Sequence, residues 1–125
     1  MKTLSIEQLV ALHSLLIMET GGSEGLRDIG RLEAVVAAQT QSVFGKEIYP
    51  TIFEKGAALI RGVISDHPFV DGNKRTGMLA GLTFLEVNGQ KFNTKKGEIE
   101  DFAVQVATKH LGIAEIAAWL ETHSQ

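Results

Sequence analysis

The stretch His67-Pro68-Phe69-Val70-Asp71-Gly72-Asn73-Lys74-Arg75-Thr76 joins two apolar segments and brings together a proton acceptor, a carboxylate, an amide and two cations. A residue before a proline disfavours helical geometry, so the preceding helix should end near Asp66. The segment that follows, from Asn73 to Asn88, is apolar nearly all round, which is typical of a central, buried helix. We therefore predict a loop that leads into the core helix of an all-α fold.

Helical periodicity extends over the rest of the chain. Ser5-Ile6-Glu7-Gln8 and Thr51-Ile52-Phe53-Glu54 are capping boxes that begin two helices, the first of which should end near Gly21-Gly22. Three more helices are predicted, over Asp28 to Gln41, Glu98 to Lys109 and Ile113 to Thr122. A short extended flap is predicted at Lys46 to Tyr49. The prediction is a compact bundle of about six helices, forming a single domain over residues 1–125.

Composition excludes several classes of protein. Hydrophobic residues make up 44% of the 125 residues, and there is no cysteine for a disulfide framework or a thiolate metal site. A secretory signal and a membrane span are absent from the pattern, so we expect a cytoplasmic protein without membrane contact. The net charge of −3 argues against a broad surface for direct contact with nucleic acid.

Two cations stand where the core helix begins. Lys74 and Arg75 lie in its predicted first turn, although the partial positive charge of a helix N-terminus favours acidic side chains. A phosphate at this position would explain them, because the unpaired backbone N–H groups already attract an anion. Arg75 can grip a phosphate bidentately, and Lys74 adds a second charge. The alternative is a helix start whose cations are simply solvated.

His67 is the candidate general base, since a neutral imidazole is available near pH 7. The alternative is a loop histidine that only packs or forms a hydrogen bond. His13 lies on the apolar stripe of the first helix and is predicted to be a satisfied core or boundary residue. His110 and His123 fall near the ends of the last two helices, where a cation suits the helix dipole. We assign no catalytic role to these three.

The loop residues beside the cations have structural and functional interpretations. Asp71 is placed to hold Mg²⁺ between its carboxylate and a phosphate, or else to shape the loop as an Asx turn. Gly72 permits a positive φ or a close approach of ligand to backbone. Asn73 is expected to cap the helix with its side chain or to donate to a phosphate. Phe69 is predicted to anchor the loop in the core.

The motif resembles the Fic/Doc family signature, H-x-F-x-(D/E)-G-N-(G/K)-R. The matching residues are His67, Phe69, Asp71, Gly72, Asn73 and Arg75, with Lys74 at the variable position. The surrounding chain is similar to the death-on-curing (Doc) branch at Gly25-Leu26-Arg27-Asp28, Tyr49-Pro50-Thr51 and Phe84-Leu85-Glu86, among other stretches. The similarity covers most of the chain and implies the all-helical fold of that family.

The resemblance also implies an activity. Typical Fic members transfer AMP from ATP to a protein hydroxyl, but they carry glycine at the position of Lys74 and an arginine at that of Met78. In the Doc branch, lysine fills the space of the α-phosphate, the nucleotide lies reversed, and the γ-phosphate goes to a threonine of elongation factor Tu. This stops translation, and the toxin is paired with an antitoxin, Phd, that covers the active site.

Carried onto this chain, the family roles assign His67 to deprotonating the threonine and Asp71 to Mg²⁺. Gly72, Asn73, Lys74 and Arg75 would cradle the phosphates of ATP. The alternatives are a Fic-type AMP-transferase or other nucleotidyl transferase, a non-catalytic nucleotide-binding module and, against the acidic balance, a DNA-binding helical domain.

The family's self-inhibiting members carry a helix with the pattern S/T-x-x-x-E-G/N. Thr20 to Gly25 fits that pattern in letters, but Gly21 and Gly22 disfavour a helix there. We interpret the match as chance and predict a chain that needs a partner to inhibit it.

Overall fold

The computed structural model describes residues 1–125 and contains six α-helices with one small hairpin. The helices are α1 (Ile6–Thr20), α2 (Ile29–Ala37), α3 (Ile52–Asp66), α4 (Asn73–Val87), α5 (Glu98–Lys109) and α6 (Ile113–Thr122). The predicted all-α bundle of six helices is confirmed. None of the six is both long enough and apolar enough to cross a membrane.

Helices α3 and α4 form the centre of the bundle and pack against each other more extensively than any other pair. Glycines on α4 permit this close approach. A Cβ added at Gly81 would lie 2.6 Å from Ile60 Cδ1, and one at Gly77 would lie 2.8 Å from Ile64 Cγ1. Because real side chains cannot approach so closely, α4 can sit against α3 only with glycine at both positions. The loop between them is therefore mounted on two rigid, buried supports.

Helix α2 ends earlier than the periodicity predicts. It stops at Ala37 rather than Gln41, and the next three residues form a turn. The reason is the buried side chain of Gln39, whose Oε1 accepts from the N–H of Leu4 and whose Nε2 donates to the carbonyl of Leu4, each at 2.8 Å. This side chain satisfies the main chain of the N-terminal segment, so the competing tertiary contact wins over local helix propensity.

The predicted flap is a hairpin that begins earlier in the chain. β1 (Ser42–Val43) pairs antiparallel with β2 (Lys46–Glu47), and Ile48 and Tyr49 lie outside the strands. Lys55 of α3 is buried, and its Nζ donates to Glu47 Oε1 at 2.8 Å and to the carbonyl of Gln39 at 2.7 Å. A buried ammonium needs such partners, and here they tie the hairpin to the core.

Candidate functional site

The loop between α3 and α4 begins and ends on residues with left-handed backbone geometry. His67 caps α3 at φ 49° and ψ 58°, and its N–H donates to the carbonyl of Val63 at 3.3 Å. Gly72 precedes α4 at φ 74° and ψ 20°, which confirms the predicted positive φ. The side chain of His67 is exposed. The backbone turn at the end of α3 therefore sets the direction in which the imidazole projects.

The inner side of the loop is held in the core, as predicted for Phe69, which is 1% exposed. The Asn73 amide brackets it: Phe69 N–H donates to Asn73 Oδ1 at 3.1 Å, and Asn73 Nδ2 donates to the Phe69 carbonyl at 2.9 Å. The expectation that Asn73 caps α4 is wrong. Gly72 occupies the cap position without a side-chain bond, because the Asn73 side chain is turned inward to close the loop.

His13 of α1 supports the same loop from the other side. Its ring stacks on Phe69 with centroids 4.1 Å apart and planes 7° from parallel. Its Nε2 lies 2.8 Å from the carbonyl oxygen of Asp71 and must carry the proton, since a carbonyl can only accept. The prediction that His13 is a core or boundary histidine with its hydrogen bonding satisfied is confirmed. The sequence did not reveal that its partner is the loop from His67 to Gly72, called the motif loop below.

The side chain of Asp71 is exposed to solvent, and each of its two carboxylate oxygens accepts one hydrogen bond from a backbone N–H group. Oδ2 accepts from the N–H of Ser23 at 3.1 Å, and Oδ1 accepts from the N–H of Gly72 at 2.9 Å. These two bonds lower the pKa of Asp71 below its ordinary value, so the carboxylate is ionised near neutral pH. Gly22 makes room for it, since a Cβ there would lie 2.7 Å from Oδ2.

A cavity of about 300 Å³ lies between the start of α4 and the end of α1. It is lined by Leu16, Ile17, Thr20, Gly21, Asp71, Gly72, Asn73, Lys74 and Arg75. The first intrahelical bond of α4 runs from the N–H of Thr76 to the carbonyl of Gly72. The N–H groups of the preceding helical residues therefore have no acceptor within the helix, and no acidic side chain occupies the first turn. This cavity suits a polyanion.

A second, mostly apolar groove of about 400 Å³ adjoins the first cavity. Leu16, Thr20 and Arg75 line both, while Met78 and Leu82 give the groove its apolar wall. An elongated ligand with charged and apolar parts can thus contact both spaces at once.

The structure brings most of the predicted site residues together. Asp71, Gly72, Asn73, Lys74 and Arg75 share the lining of one cavity. His67 does not line that cavity and stands at the preceding helix end.

Sequence reasoning missed the wall that α1 contributes to the cavity. Leu16, Ile17 and Thr20 form it, next to Gly21 at the helix C-cap. The only signal in the sequence was the glycine pair that ends α1, since the packing of α1 beside α4 is a long-range event. The residues from Gly21 to Gly25 form no helix, which confirms the expectation for the S/T-x-x-x-E-G/N pattern.

The residues present fit a divalent cation shared with a phosphate, and they do not fit a metal held by protein alone. No group of three or more His, Asp or Glu side chains is close enough to hold an ion. Asp71, however, offers an ionised and exposed carboxylate at the cavity edge, and each oxygen keeps one lone pair beyond its backbone bond. Mg²⁺ is commonly held by one carboxylate together with phosphate oxygens and water.

Comparison with known proteins gives a consistent result. Residues 3–85 match the model of the Fic/DOC family. Toxin Doc of Mycolicibacterium smegmatis is 39% identical over 102 residues, which cover 80% of this chain and 78% of that protein. Protein kinase doc of Escherichia phage P1 is 36% identical over 118 residues, which cover 94% of this chain and 91% of that protein.

Proposed function

Since this chain belongs to the Fic/Doc family, in its Doc toxin branch, we propose that its motif loop transfers the γ-phosphate of ATP to a threonine of a translation factor. The chain is a Doc-type toxin and protein kinase that uses ATP as its substrate and pairs with an antitoxin. We also propose that residues 1–125 act as one domain.

The observation that carries the proposal is the positive cavity at the start of α4. Lys74 and Arg75 line it together with the unpaired N–H groups of the first turn. Phosphoryl transfer depends mostly on positioning and on neutralising charge, and this cavity supplies both. We assign the phosphates of ATP to Gly72, Asn73, Lys74 and Arg75. The side chain of Asn73 is engaged with Phe69, so its contribution comes from its backbone N–H and from loop shape.

His67 acts as the general base in this proposal. Its imidazole takes the proton of the threonine hydroxyl as the hydroxyl oxygen bonds to the γ-phosphorus. The bond from that phosphorus to the bridging oxygen breaks, and ADP leaves with the electron pair. His67 is exposed and lies outside the lining of the cavity at the start of α4, so in this proposal the target peptide would bind between the imidazole and the phosphate.

Asp71 would hold Mg²⁺, together with phosphate oxygens of the bound nucleotide. When bound, the ion supplies charge neutralisation on the phosphates. The chain's own contribution is to keep the carboxylate ionised and fixed, through the N–H groups of Ser23 and Gly72.

The partners follow from the resemblance to the Doc branch. We propose elongation factor Tu as the target, a Phd-like antitoxin as the inhibitor that covers the site, and the cytoplasm as the compartment. Self-inhibition has no support in the fold, because Glu24 lies in an irregular exposed loop. Glu24→Gly should therefore leave the activity of the isolated chain unchanged, and a sharp rise would overturn the need for a partner.

A paired labelling assay tests the proposal. The chain and its His67→Ala variant are incubated with Mg²⁺ and purified elongation factor Tu or bacterial lysate. One tube receives ATP labelled on the γ-phosphate and the other ATP labelled on the α-phosphate. Label on the target from γ-labelled ATP alone, dependent on His67, is the expected result. Label from α-labelled ATP alone would show AMP transfer instead, and nucleotide binding without any transfer would leave a non-catalytic module.

A further inference from the structure

The end of α3, where the imidazole of His67 projects, is held by an arginine far away in sequence. Arg27 Nε donates to the carbonyl of His67 at 2.6 Å, and its Nη2 donates to the carbonyl of Asp66 at 2.8 Å. Arg31 Nη1 adds a third bond, to the same Asp66 carbonyl, at 3.0 Å. The last carbonyls of a helix have no intrahelical partner, so these guanidinium groups satisfy them. The positive charge also suits the negative end of the helix dipole.

The backbone of Arg27 reinforces the same contact. Its N–H donates to the carbonyl of Pro68 at 2.7 Å, and the N–H of Asp28 donates to that carbonyl at 3.0 Å. One step further on, the N–H of Val70 donates to the carbonyl of Gly25 at 3.0 Å. The segment from residue 25 to 28 therefore runs along the first half of the motif loop and fixes it at successive carbonyls.

These bonds matter because His67 holds a backbone conformation that side-chain-bearing residues rarely adopt. At φ 49° His67 lies in the left-handed region, which a residue with a Cβ occupies at a steric cost. The imidazole forms no hydrogen bond with the rest of the chain that would orient it independently. Its position therefore depends on the carbonyls that Arg27 holds.

We propose that Arg27 is a positioning residue for phosphoryl transfer: by binding the carbonyls of Asp66 and His67, it fixes the left-handed turn that aims the imidazole. This inference rests on the proposed function, in which His67 is the general base. Arg27 itself lines neither the phosphate cavity nor the adjoining groove. Its loss should therefore slow the chemical step without weakening ATP binding.

Arginine suits this position better than lysine. Its planar fork presents two donors in fixed directions, and the two carbonyls it binds belong to successive residues. Lysine would keep the charge near the helix end but could not hold both carbonyls with the same geometry. Arg31 is the lesser contributor, since it donates to one carbonyl and its Nε also lies 3.3 Å from Asp28 Oδ2.

The test compares Arg27→Gln with Arg61→Gln, because Arg61 is an exposed arginine on α3 whose guanidinium forms no hydrogen bond with the chain. Rates are measured on the protein that the wild-type chain labels, with ATP and the target varied separately. We expect Arg27→Gln to lower kcat by roughly 10- to 100-fold, as a misplaced catalytic group does, with KM for ATP within about twofold of wild type. Arg61→Gln should match the wild type in both. Equal kcat for the two variants, or a loss confined to KM for ATP, would overturn the proposal.

A second measurement separates positioning from general stability. Backbone and imidazole NMR signals of His67 should shift in Arg27→Gln and stay in place in Arg61→Gln, while the signals of the α4 core remain unchanged. If Arg27→Gln does not fold, Arg27→Lys takes its place, and we expect it to recover stability more fully than kcat. If Arg27→Lys had the kcat of the wild type, a positive charge alone would suffice, and the claim that both donors of the guanidinium are needed would be wrong.

The two proposals can fail separately. If the wild-type chain transfers no phosphate, the proposed function is wrong, whatever Arg27 does. If transfer is His67-dependent but the His67 signals and kcat are unaffected in Arg27→Gln, only the positioning role is wrong.

Discussion

Two helices of this protein end on a histidine in the same unusual conformation. His67 closes α3 at φ 49° and ψ 58°, and His110 closes α5 at φ 51° and ψ 51°. Both side chains are exposed. The carbonyl of His67 is held by Arg27, whereas the chain after His110 passes through Leu111 into the next helix. The shared geometry shows that a left-handed histidine is a way to end a helix and does not by itself make a site.

What distinguishes the two ends is the chain that follows. After His67, Phe69 and Asn73 are anchored in the core, while Asp71 and Lys74 face solvent. After His110 there is no such cluster, and no cavity with two cations.

The largest effect on activity is expected for His67→Ala, with His110→Ala as its matched control. Loss of a general base should reduce kcat for γ-phosphate transfer by about 10³-fold, while His110→Ala should keep wild-type activity. Both variants should fold, since neither side chain is buried. Single-turnover rates with γ-labelled ATP measure the effect. Equal activity of the two variants would remove His67 as the base.

The second effect is the loss of activity expected when the carboxylate of Asp71 is removed, and the way in which that loss varies with pH. Backbone hydrogen bonds lower its pKa below the ordinary 3.8, so it remains ionised as pH falls until well into the acid range. Any stability that these bonds provide is therefore present above the ordinary pKa and is lost only below it. Asp71→Asn should lower kcat by roughly 100-fold through loss of the metal contact, and by the same factor at pH 5.5 and pH 8.

The control for this variant is Asp101→Asn, because Asp101 is exposed on α5, away from the cavity. It should behave as wild type at both pH values. A loss in Asp71→Asn that shrinks toward pH 5.5 would mean that the carboxylate titrates within the assay range.

The third effect concerns which phosphate is transferred. Lys74→Gly should weaken phosphorylation by about 100-fold through loss of one cation at the phosphates. It should also open AMP transfer if the size of the lysine blocks the α-phosphate. Lys74→Met separates size from charge, since it keeps the length and removes the ammonium. We expect Lys74→Met to lose phosphorylation without gaining label from α-labelled ATP. A glycine variant that remains a plain kinase would refute the argument from size.

Much of this fold could be read from local sequence signals. The capping box at Ser5 and the N-cap at Thr51 mark the starts of α1 and α3, and the apolar segment after Asn73 is the buried core helix. At Thr51 the predicted box is half formed, because Glu54 accepts from the threonine hydroxyl and not from its backbone N–H. The errors arose where a distant partner decides the local structure. Gln39 ended α2 early because it bonds to Leu4, which lies 35 residues away in sequence.

The functional site likewise combines residues that the sequence identified with long-range contacts that it could not reveal. The pattern from His67 to Arg75 identified the cations and the carboxylate, because their chemistry is unusual for a helix start. It could not reveal that His13, Ser23 and Arg27 hold the loop, since those contacts span 40 residues or more and depend on tertiary packing. Spacing alone likewise predicted a cap at Asn73, where the side chain instead bonds to Phe69.

The smallest effect expected is on stability, when the histidine at the end of α3 or α5 is replaced by glycine. Glycine adopts the left-handed conformation without steric cost, so His110→Gly should raise the free energy of unfolding by about 1 kcal/mol. For a domain of this size that corresponds to roughly 4 °C in Tm. His67→Gly should stabilise the fold by a similar amount, because its φ is nearly the same, yet it should abolish transfer. Thermal unfolding followed by circular dichroism, paired with the labelling assay, measures both. If only His110→Gly is stabilising, then the left-handed geometry of His67 carries no steric cost that glycine removes, and the two ends differ in backbone energetics as well as in chemistry.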